Sequence, residues 1–289
     1  MIEYSSMNIS VIIPTHNAGF PLQELISRLA SQDLPPNEII IIDSSSSDNT
    51  TDIAKKSGAF VMTIPKESFD HGRTRNTAAL KAKGEILVFM TQDALPANPS
   101  LLRLLTAPLL QGDIVAACGR HLPKDDASPL EVFARRFNYP EQGSIKGIGD
   151  IQKYGIKTFF FSNVCSAYRR GPFIKIGMFP ERVKANEDMI IAARLILNGY
   201  RIAYIPEATI FHSHNYSLLN QFRRYYNIGA SLRNNSWIFQ YARPEGEGLQ
   251  FIRQQISYVL KQHKYSWVPY IFIEMVTKYA GYRIGLLAG

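Results

Sequence analysis

The sequence predicts an α/β fold with a mostly parallel central sheet that is flanked by helices. Short apolar, β-branched runs recur about every 25 residues, and segments with helical spacing of apolar side chains lie between them. Strands that alternate with helices in this way build right-handed βαβ units. The chain has 289 residues and is 46% hydrophobic, so it can bury a core as one large domain or as a domain with an extension.

The elements of the first hundred residues follow in order. Residues 8–14 (NISVIIP) predict a buried strand that proline ends, and residues 20–31 have helical spacing of leucine and isoleucine. Residues 38–43 (EIIIID) predict a second strand, and residues 48–56 a short capped helix. The remaining elements are strands at 59–64 and 86–91, a helix at 73–83 that Gly84 caps, and a helix that begins at Asn98 and Pro99.

The charge and composition of the chain change after residue 219. From Asn220 onward there are nine basic and three acidic residues, whereas the whole chain carries a net charge of +8. Apolar and aromatic side chains predict helices at 249–260 and 266–287. We therefore expect a catalytic domain at 1–219 and a basic, aromatic-rich helical extension at 220–289. A membrane-interface role and a role in packing or dimer formation both remain open for this extension.

Other sequence features bear on the location of the protein. Cys118 and Cys165 lack metal-ligand spacing, which predicts free thiols in a reducing compartment. Residues 1–10 do not have the pattern of a signal peptide, and no stretch of about 18 apolar residues predicts a membrane span. We expect a cytoplasmic protein that contacts the inner face of the cell membrane at most peripherally. No nucleic-acid reader motif accompanies the basic extension, so nucleic acid is not an expected partner.

Polar side chains follow three of the predicted strands. These segments are 14–17 (PTHN), 43–50 (DSSSSDNT) and 91–94 (TQDA). Ligands of open α/β sheets bind beyond the carboxyl ends of the strands. Any one segment is also explained by helix capping or turn formation. Three such segments at one sheet edge are harder to explain in that way, and they favour a ligand site.

The composition of this edge narrows the ligand class. The loop after the first strand, THNAGF, lacks the glycine pattern of dinucleotide-binding proteins, and no P-loop motif occurs. Hydrogen-bond acceptors such as Asp43 suit the N–H and hydroxyl groups of a pyrimidine nucleoside. The Asp93 carboxylate would repel a pyrophosphate unless a divalent cation lies between them. The sequence thus predicts a site for a metal-bound nucleoside diphosphate.

Several motifs between residues 8 and 230 carry a family resemblance. They read SVIIPTHNAG, IIIIDSSSSDNT, FDHGRTRNTA, LVFMTQDALP, CGRHLP, SNVCSAYRR, NEDMIIAARLILNGYRIAYIPEA and HSHNYSLLNQFRRYYNIG. Together they resemble inverting family 2 glycosyltransferases of the GT-A fold. FDHGRTRN, TQDALP and HSHNYS resemble the bacterial rhamnosyltransferases that use dTDP-L-rhamnose in surface polysaccharide synthesis. This resemblance implies a nucleotide-sugar donor and a glycan acceptor, which a membrane-bound enzyme would meet in lipid-linked form.

The resemblance also implies roles for individual residues in donor binding. Asp43 matches the aspartate that reads the pyrimidine N3–H, and Arg75 matches an arginine near the base and phosphate. Gln92 and Asp93 occupy the position of the family's D-x-D motif, but with one acid instead of two or three. A single carboxylate can still bind Mg²⁺ or Mn²⁺ if phosphates and waters complete the shell. The expected donor-binding residues are Pro14, Thr15, His16, Asn17, Asp43, Ser45, Arg75, Asn76, Gln92 and Asp93.

The resemblance places catalysis at Glu187 and Asp188, before an apolar helix at 189–197. Asp188 is the expected general base and Glu187 the residue that positions the acceptor, although acids in a first helical turn also favour the helix dipole. His212 is an expected ligand of the metal or the diphosphate, with His214 as the alternative. Arg223 and Arg224 would neutralise the leaving diphosphate. A transferase for another UDP- or dTDP-sugar, a nucleotidyltransferase and a non-catalytic sugar-binding protein remain alternatives.

Overall fold

The structure is a computed structural model that describes residues 8–242 and 247–288. Part of the segment considered for a signal peptide, residues 1–7, therefore lies outside the described residues. The strands are Ile9–Thr15 (β1), Glu38–Asp43 (β2), Phe60–Thr63 (β3), Ile86–Met90 (β4), Leu95–Pro96 (β5), Ile114–Leu122 (β6), Ser144–Lys146 (β7), Cys165–Arg169 (β8) and Arg201–Phe211 (β9). The first helices are Phe20–Ala30 (α1), Thr50–Lys56 (α2), His71–Lys81 (α3), Leu101–Thr106 (α4), Pro129–Asn138 (α5) and Ile151–Tyr154 (α6). The later helices are Arg170–Lys175 (α7), Glu187–Leu197 (α8), Leu218–Asn234 (α9), Glu247–Lys261 (α10) and Trp267–Ala288 (α11).

The nine strands form one sheet in the order β3-β2-β1-β4-β8-β6-β9-β5, with β7 paired to β9. Strands β1 to β4, β6 and β9 run in one direction, whereas β5, β7 and β8 run in the other. The mostly parallel α/β sheet predicted from the sequence is therefore confirmed. Two apolar layers, one on each face of the sheet, form the core. This arrangement brings the carboxyl ends of β1, β2, β4 and β9 to one edge.

Two predicted helix ends were wrong, and both have a local cause. Helix α4 begins at Leu101, because Asn98 instead donates a hydrogen bond to Thr209 and accepts one from the backbone of Ser100. Helix α3 ends at Lys81 with Ala82 as its C-cap, so Gly84 does not cap it. A Cβ on Gly84 would lie 2.6 Å from the backbone nitrogen of Ser10. Glycine is needed there because the chain passes close to β1.

The C-terminal helices pack on each other and on the rest of the protein. Helices α9 and α11 cross closely, since a Cβ on Gly229, Gly281 or Gly285 would collide with the backbone of the opposite helix. A small apolar cluster joins Leu130 of α5 to α10 and α11. The predicted boundary at 219/220 falls within the first turn of α9. Among residues 8–242 and 247–288, no helix is both long and apolar enough to cross a bilayer.

Candidate active site

A cavity of about 730 Å³ opens at the edge of the sheet where β4 and β9 end. Five parts of the chain supply its predicted polar residues: α3, the segment after β4, the start of α8, the segment after β9 and helix α9. The predicted residues that line it are Arg75, Asp93, Glu187, Asp188, His212, His214 and Arg224. Side chains predicted from distant parts of the sequence therefore share one cavity, which we call the first cavity.

Three of these side chains converge on one point. The Nε2 atoms of His212 and His214 lie 3.1 Å apart, and they lie 3.4 and 3.0 Å from Oδ2 of Asp93. All three side chains could hold a metal ion. Strand β9 ends at Phe211, and the extended chain that follows places the two imidazoles together, as the i, i+2 spacing predicts. Both histidines thus belong to the cluster, whereas the sequence favoured His212.

The electrostatics of this cluster suit a cation. Burial alone would raise the pKa of the Asp93 carboxyl, but hydrogen bonds from His212 and His214 outweigh burial and hold that pKa far below its usual range. Burial lowers the pKa of His212, although the bond to Asp93 opposes this effect. An ionised carboxylate next to a neutral imidazole is the protonation state that a metal ion requires.

The Glu187–Asp188 pair lies at the start of α8, on another wall of the same cavity. Oε1 of Glu187 is 3.3 Å from the guanidinium of Arg75, and both side chains are buried. The Asp188 carboxylate accepts hydrogen bonds from the backbone N–H groups of Asn163 and Met189. Burial, together with the Glu187 charge, raises the pKa of Asp188 to about 7. A carboxyl group with such a pKa can take up a proton near neutral pH.

The residues after β1 and β2 form a separate, hydrogen-bonded region that does not line the first cavity. Asp43 is fully buried, and its carboxylate accepts hydrogen bonds from the Thr15 hydroxyl and from the backbone and hydroxyl of Ser46. Asn17 accepts a hydrogen bond from the backbone of Ser47, and Ser45 donates one to the Ile64 carbonyl. Both Asn17 and Ser45 adopt positive φ, so this loop holds a backbone conformation that few residues adopt.

Three of the predicted donor-binding residues, Gln92, Asn76 and Pro14, contact other parts of the protein backbone. The Gln92 amide donates to the His16 carbonyl and accepts from the His16 N–H, so it fastens the loop after β1 to the end of β4. The Asn76 amide makes the same pair of bonds to the backbone of Phe179. Pro14 lies in β1 opposite Ile42. The amides of Gln92 and Asn76 thus position neighbouring segments.

The first cavity also includes residues that were not singled out from the sequence. His71 lies at the start of α3, where burial lowers its pKa despite the nearby Glu187 charge. The Tyr216 ring packs against His214, and the Arg224 guanidinium lies over that ring, 5.5 Å from its centroid. His71 and Tyr216 fall within the motifs FDHGRTRN and HSHNYS. The motifs indicate that both residues lie near the site, but they do not indicate which side chains the two residues contact.

An α/β sheet with hydrogen-bond acceptors at one edge, a cluster that could hold a metal ion and a carboxylate pair in one cavity is compatible with a glycosyltransferase. The sequence profile of glycosyl transferase family 2 matches residues 10–177. The chain belongs to that family. It is 38% identical to the O-antigen chain rhamnosyltransferase RfbN of Salmonella typhimurium, over 96% of this chain and 90% of the relative. It is 40% identical to the O-antigen chain rhamnosyltransferase WbaN of Salmonella anatum, over 96% and 89%.

Solved structures show the same fold at lower identity. The mannosyltransferase PcManGT of Pyrobaculum calidifontis, in complex with GDP-Man and Mn²⁺, superposes with a TM-score of 0.62 at 18% identity. It is matched over 98% of this chain and 76% of its own. TarS 1-349 of S. aureus, in complex with UDP-GlcNAc, gives a TM-score of 0.57 at 19% identity, over 98% and 91%. The GT-A fold expected from the sequence is thereby confirmed.

Proposed function

We propose that this protein transfers L-rhamnose from dTDP-L-rhamnose to a glycan hydroxyl, with inversion, during synthesis of an O-antigen type of surface polysaccharide. The identity of 38% and 40% to two O-antigen chain rhamnosyltransferases, over nearly the whole chain, carries this proposal. The geometry supports it, because the first cavity combines a general-base candidate with a cation site. Nucleotidyl transfer has no comparable support in these relatives.

The Asp43 region is the proposed site of the donor base. A carboxylate offers about four acceptor positions, and Asp43 uses three of them for Thr15 and Ser46. We propose that the position left on Oδ2 accepts the pyrimidine N3–H when the loops after β1 and β2 open to admit the base, since Asp43 is fully buried without it. A purine lacks an N–H group in the same place relative to its glycosidic bond, so this contact favours thymine or uracil.

We expect dTDP-L-rhamnose to raise the melting temperature and GDP-mannose or ADP-glucose to leave it unchanged. A ligand that binds only the folded state stabilises it by about 2.7 kcal/mol at 100 times its Kd. Differential scanning fluorimetry with a panel of nucleotide-sugars measures this effect. Stabilisation by the GDP- or ADP-sugar alone would contradict the assignment of Asp43 to a pyrimidine.

The cluster of Asp93, His212 and His214 is the proposed cation site. Neighbouring ligands of an octahedral ion lie about 3.0 Å apart when each bond is about 2.1 Å long. The separations of 3.0 to 3.4 Å in the cluster fit this requirement. Two imidazole ligands favour Mn²⁺ over Mg²⁺, since Mg²⁺ prefers oxygen. The bound cation would neutralise charge on the diphosphate.

Asp188 is the proposed general base. It takes the proton of the acceptor hydroxyl while that oxygen forms a bond to C1 of the donor sugar. The bond between C1 and the phosphate oxygen breaks, and the nucleoside diphosphate leaves with the electron pair. Arg75 holds Glu187 next to Asp188, where Glu187 can accept a hydrogen bond from the acceptor. Arg224 lines the same cavity and can stabilise the negative charge of the leaving group.

We further propose that the protein works in the cytoplasm and that helix α11 contacts the membrane surface peripherally. One face of α11 carries side chains that are 48–63% exposed, namely Phe272, Ile273, Val276 and Tyr279, and Arg283 lies over the Tyr279 ring. Apolar and aromatic side chains with a basic residue suit the interface of an anionic bilayer. A lipid-linked acceptor would be presented at that surface.

The double substitution Phe272→Ser and Val276→Ser is expected to weaken binding to phosphatidylglycerol vesicles at least about tenfold, because each side chain loses its burial in the interface. Vesicle co-sedimentation measures this effect, and Leu249→Ser at another exposed position is the matched control. Unchanged vesicle binding would contradict the membrane contact. Conversion of a dimer to a monomer by the same substitution would identify the face as a dimer interface.

A further inference from the structure

A second cavity of about 530 Å³ lies beside the first and is built largely by the C-terminal helices. Its lining includes Gln221 of α9, Gln255 of α10, and Trp267, Tyr270 and Glu274 of α11. His214 and Tyr216 line both cavities. The two cavities therefore adjoin at these two rings.

The second cavity contains a buried acceptor atom with no partner. Gln255 is 1% exposed, and its Oε1 atom has no hydrogen-bond partner among the described residues. A buried carbonyl oxygen without a partner is costly, and native proteins satisfy nearly all such groups. Since Gln255 lines the cavity, a hydroxyl of a ligand bound there would supply the missing donor once the Gln255 amide turns towards it.

The other groups of the second cavity suit a sugar ring. The rings of Trp267 and Tyr270 meet edge to face with their centroids 5.7 Å apart, and they offer apolar surface to the C–H faces of a sugar. Ligand sites typically combine such surface with a few fixed polar groups. Here Gln255 and the Gln221–Glu274 pair, joined by a hydrogen bond of 3.1 Å, supply those groups.

The charges of the second cavity disfavour a diphosphate. Glu131 and Glu274 both line it, and each carboxylate is already paired, with Arg135 and Lys278 respectively. No unpaired cation among the described lining residues is left to attract a phosphate. A neutral saccharide needs only hydrogen bonds and apolar contact, so it fits this lining better than the diphosphate of a lipid carrier.

We propose that the second cavity binds the sugar unit of the acceptor glycan that adjoins the unit receiving the transferred sugar. This inference rests on the proposed function of the first cavity. The enzyme then recognises at least two acceptor sugars: one whose hydroxyl lies near Asp188, and a neighbour held between α9, α10 and α11. The helical extension thereby selects the acceptor, while the sheet edge binds the donor.

The substitution Gln255→Leu tests this proposal because it keeps the side-chain volume and removes the unpaired oxygen. We expect it to weaken binding of di- and trisaccharides about tenfold, the effect of one lost hydrogen bond in a buried site, and to leave monosaccharide binding unchanged. Gln254→Leu, an identical change at an exposed position of the same helix, is the matched control. Saturation-transfer NMR with p-nitrophenyl mono-, di- and trisaccharides of galactose, mannose and glucose measures the dissociation constants on dTDP-loaded protein.

Each outcome decides the proposal. Equal weakening of mono- and oligosaccharide binding, no change for either, or no oligosaccharide binding to the wild type would overturn it. If Gln255→Leu instead weakens binding of a short isoprenyl diphosphate, the second cavity takes the lipid headgroup. Nucleotide-sugar stabilisation of Gln255→Leu, measured separately, should equal that of the wild type. A failure of dTDP-rhamnose to bind any variant would show that the proposed donor is wrong while leaving the saccharide result intact.

Discussion

Replacing Asp188 with Asn is expected to lower kcat by about 10²–10⁴-fold while the Kd for dTDP changes little. A general base contributes about this factor, and an amide cannot take the proton of the acceptor hydroxyl. The pKa of Asp188, raised to about 7 by burial and by Glu187, adds a pH signature. Because the ionised form is the base, wild-type kcat should rise with pH through about 7, and this rise should be absent in the variant. Steady-state rates across pH 5.5–8.5 measure both effects.

The Asp188→Asn variant is expected to remain folded, so unfolding would not account for its lower kcat. The Asp188 side chain sits in the first turn of α8, where loss of its interaction with the helix dipole should cost only about 0.3–1 kcal/mol. Asp52→Asn, an exposed acid in the first turn of α2, is the matched control and should leave kcat unchanged. A folded Asp188→Asn variant with near wild-type kcat would reduce Asp188 to a helix-capping acid, and Glu187→Gln would be tested next. Loss of dTDP binding would assign the pair to the donor site.

Removing the cation is expected to lower turnover by at least about 10²-fold, since metal ions stabilise transition-state charge by several kcal/mol. Excess EDTA should produce this loss, and Mn²⁺ should restore the rate more fully than Mg²⁺. His214→Ala and Asp93→Asn should raise the Mn²⁺ concentration needed for half-maximal rate. Dialysis followed by metal titration measures both. His263→Ala, at an exposed histidine outside the cluster, is the control.

Undiminished turnover in EDTA would show that the diphosphate leaves without a metal ion. In that case, the positive charge of Arg224 would have to stabilise it. Direct Mn²⁺ binding, followed by the paramagnetic broadening of histidine ring signals, separates a loss of metal binding from a loss of catalysis. His214→Ala should shift the broadening at His212 to higher Mn²⁺ concentrations, because the two Nε2 atoms, 3.1 Å apart, would share one ion.

The sequence predicted the first half of the sheet well because each strand and helix there has its own local pattern. Strands β1 to β4 are short apolar runs, and their parallel order follows from the βαβ rule. The β5–β9 region was not predicted in detail. Its pairing of β6 with both β8 and β9 depends on contacts distant in sequence. The two-residue strand β5 has no periodicity to detect.

In the candidate site, too, local motifs could be predicted from the sequence, whereas contacts between distant residues could not. Asp93, His212 and His214 were identified by motif, but only the fold shows that all three meet at one point. The amides of Gln92 and Asn76 illustrate the opposite case. Their motif suggested donor contact, whereas their hydrogen bonds are made to the protein backbone. The sequence shows which polar groups are present, but it does not show which of them are already hydrogen-bonded within the protein.

The close crossing of α9 and α11 affects when the active site can form during synthesis. Strands β1 to β4 and their helices lie within the first hundred residues, so the nucleotide edge can fold while the rest of the chain is still being made. Arg224 and Gln221 lie on α9, whose glycine-mediated contact with α11 requires residues beyond 266. On the roles proposed above, a ribosome-bound chain would complete the Asp43 region before the cation cluster and the second cavity, and transfer would require the last helix to have emerged.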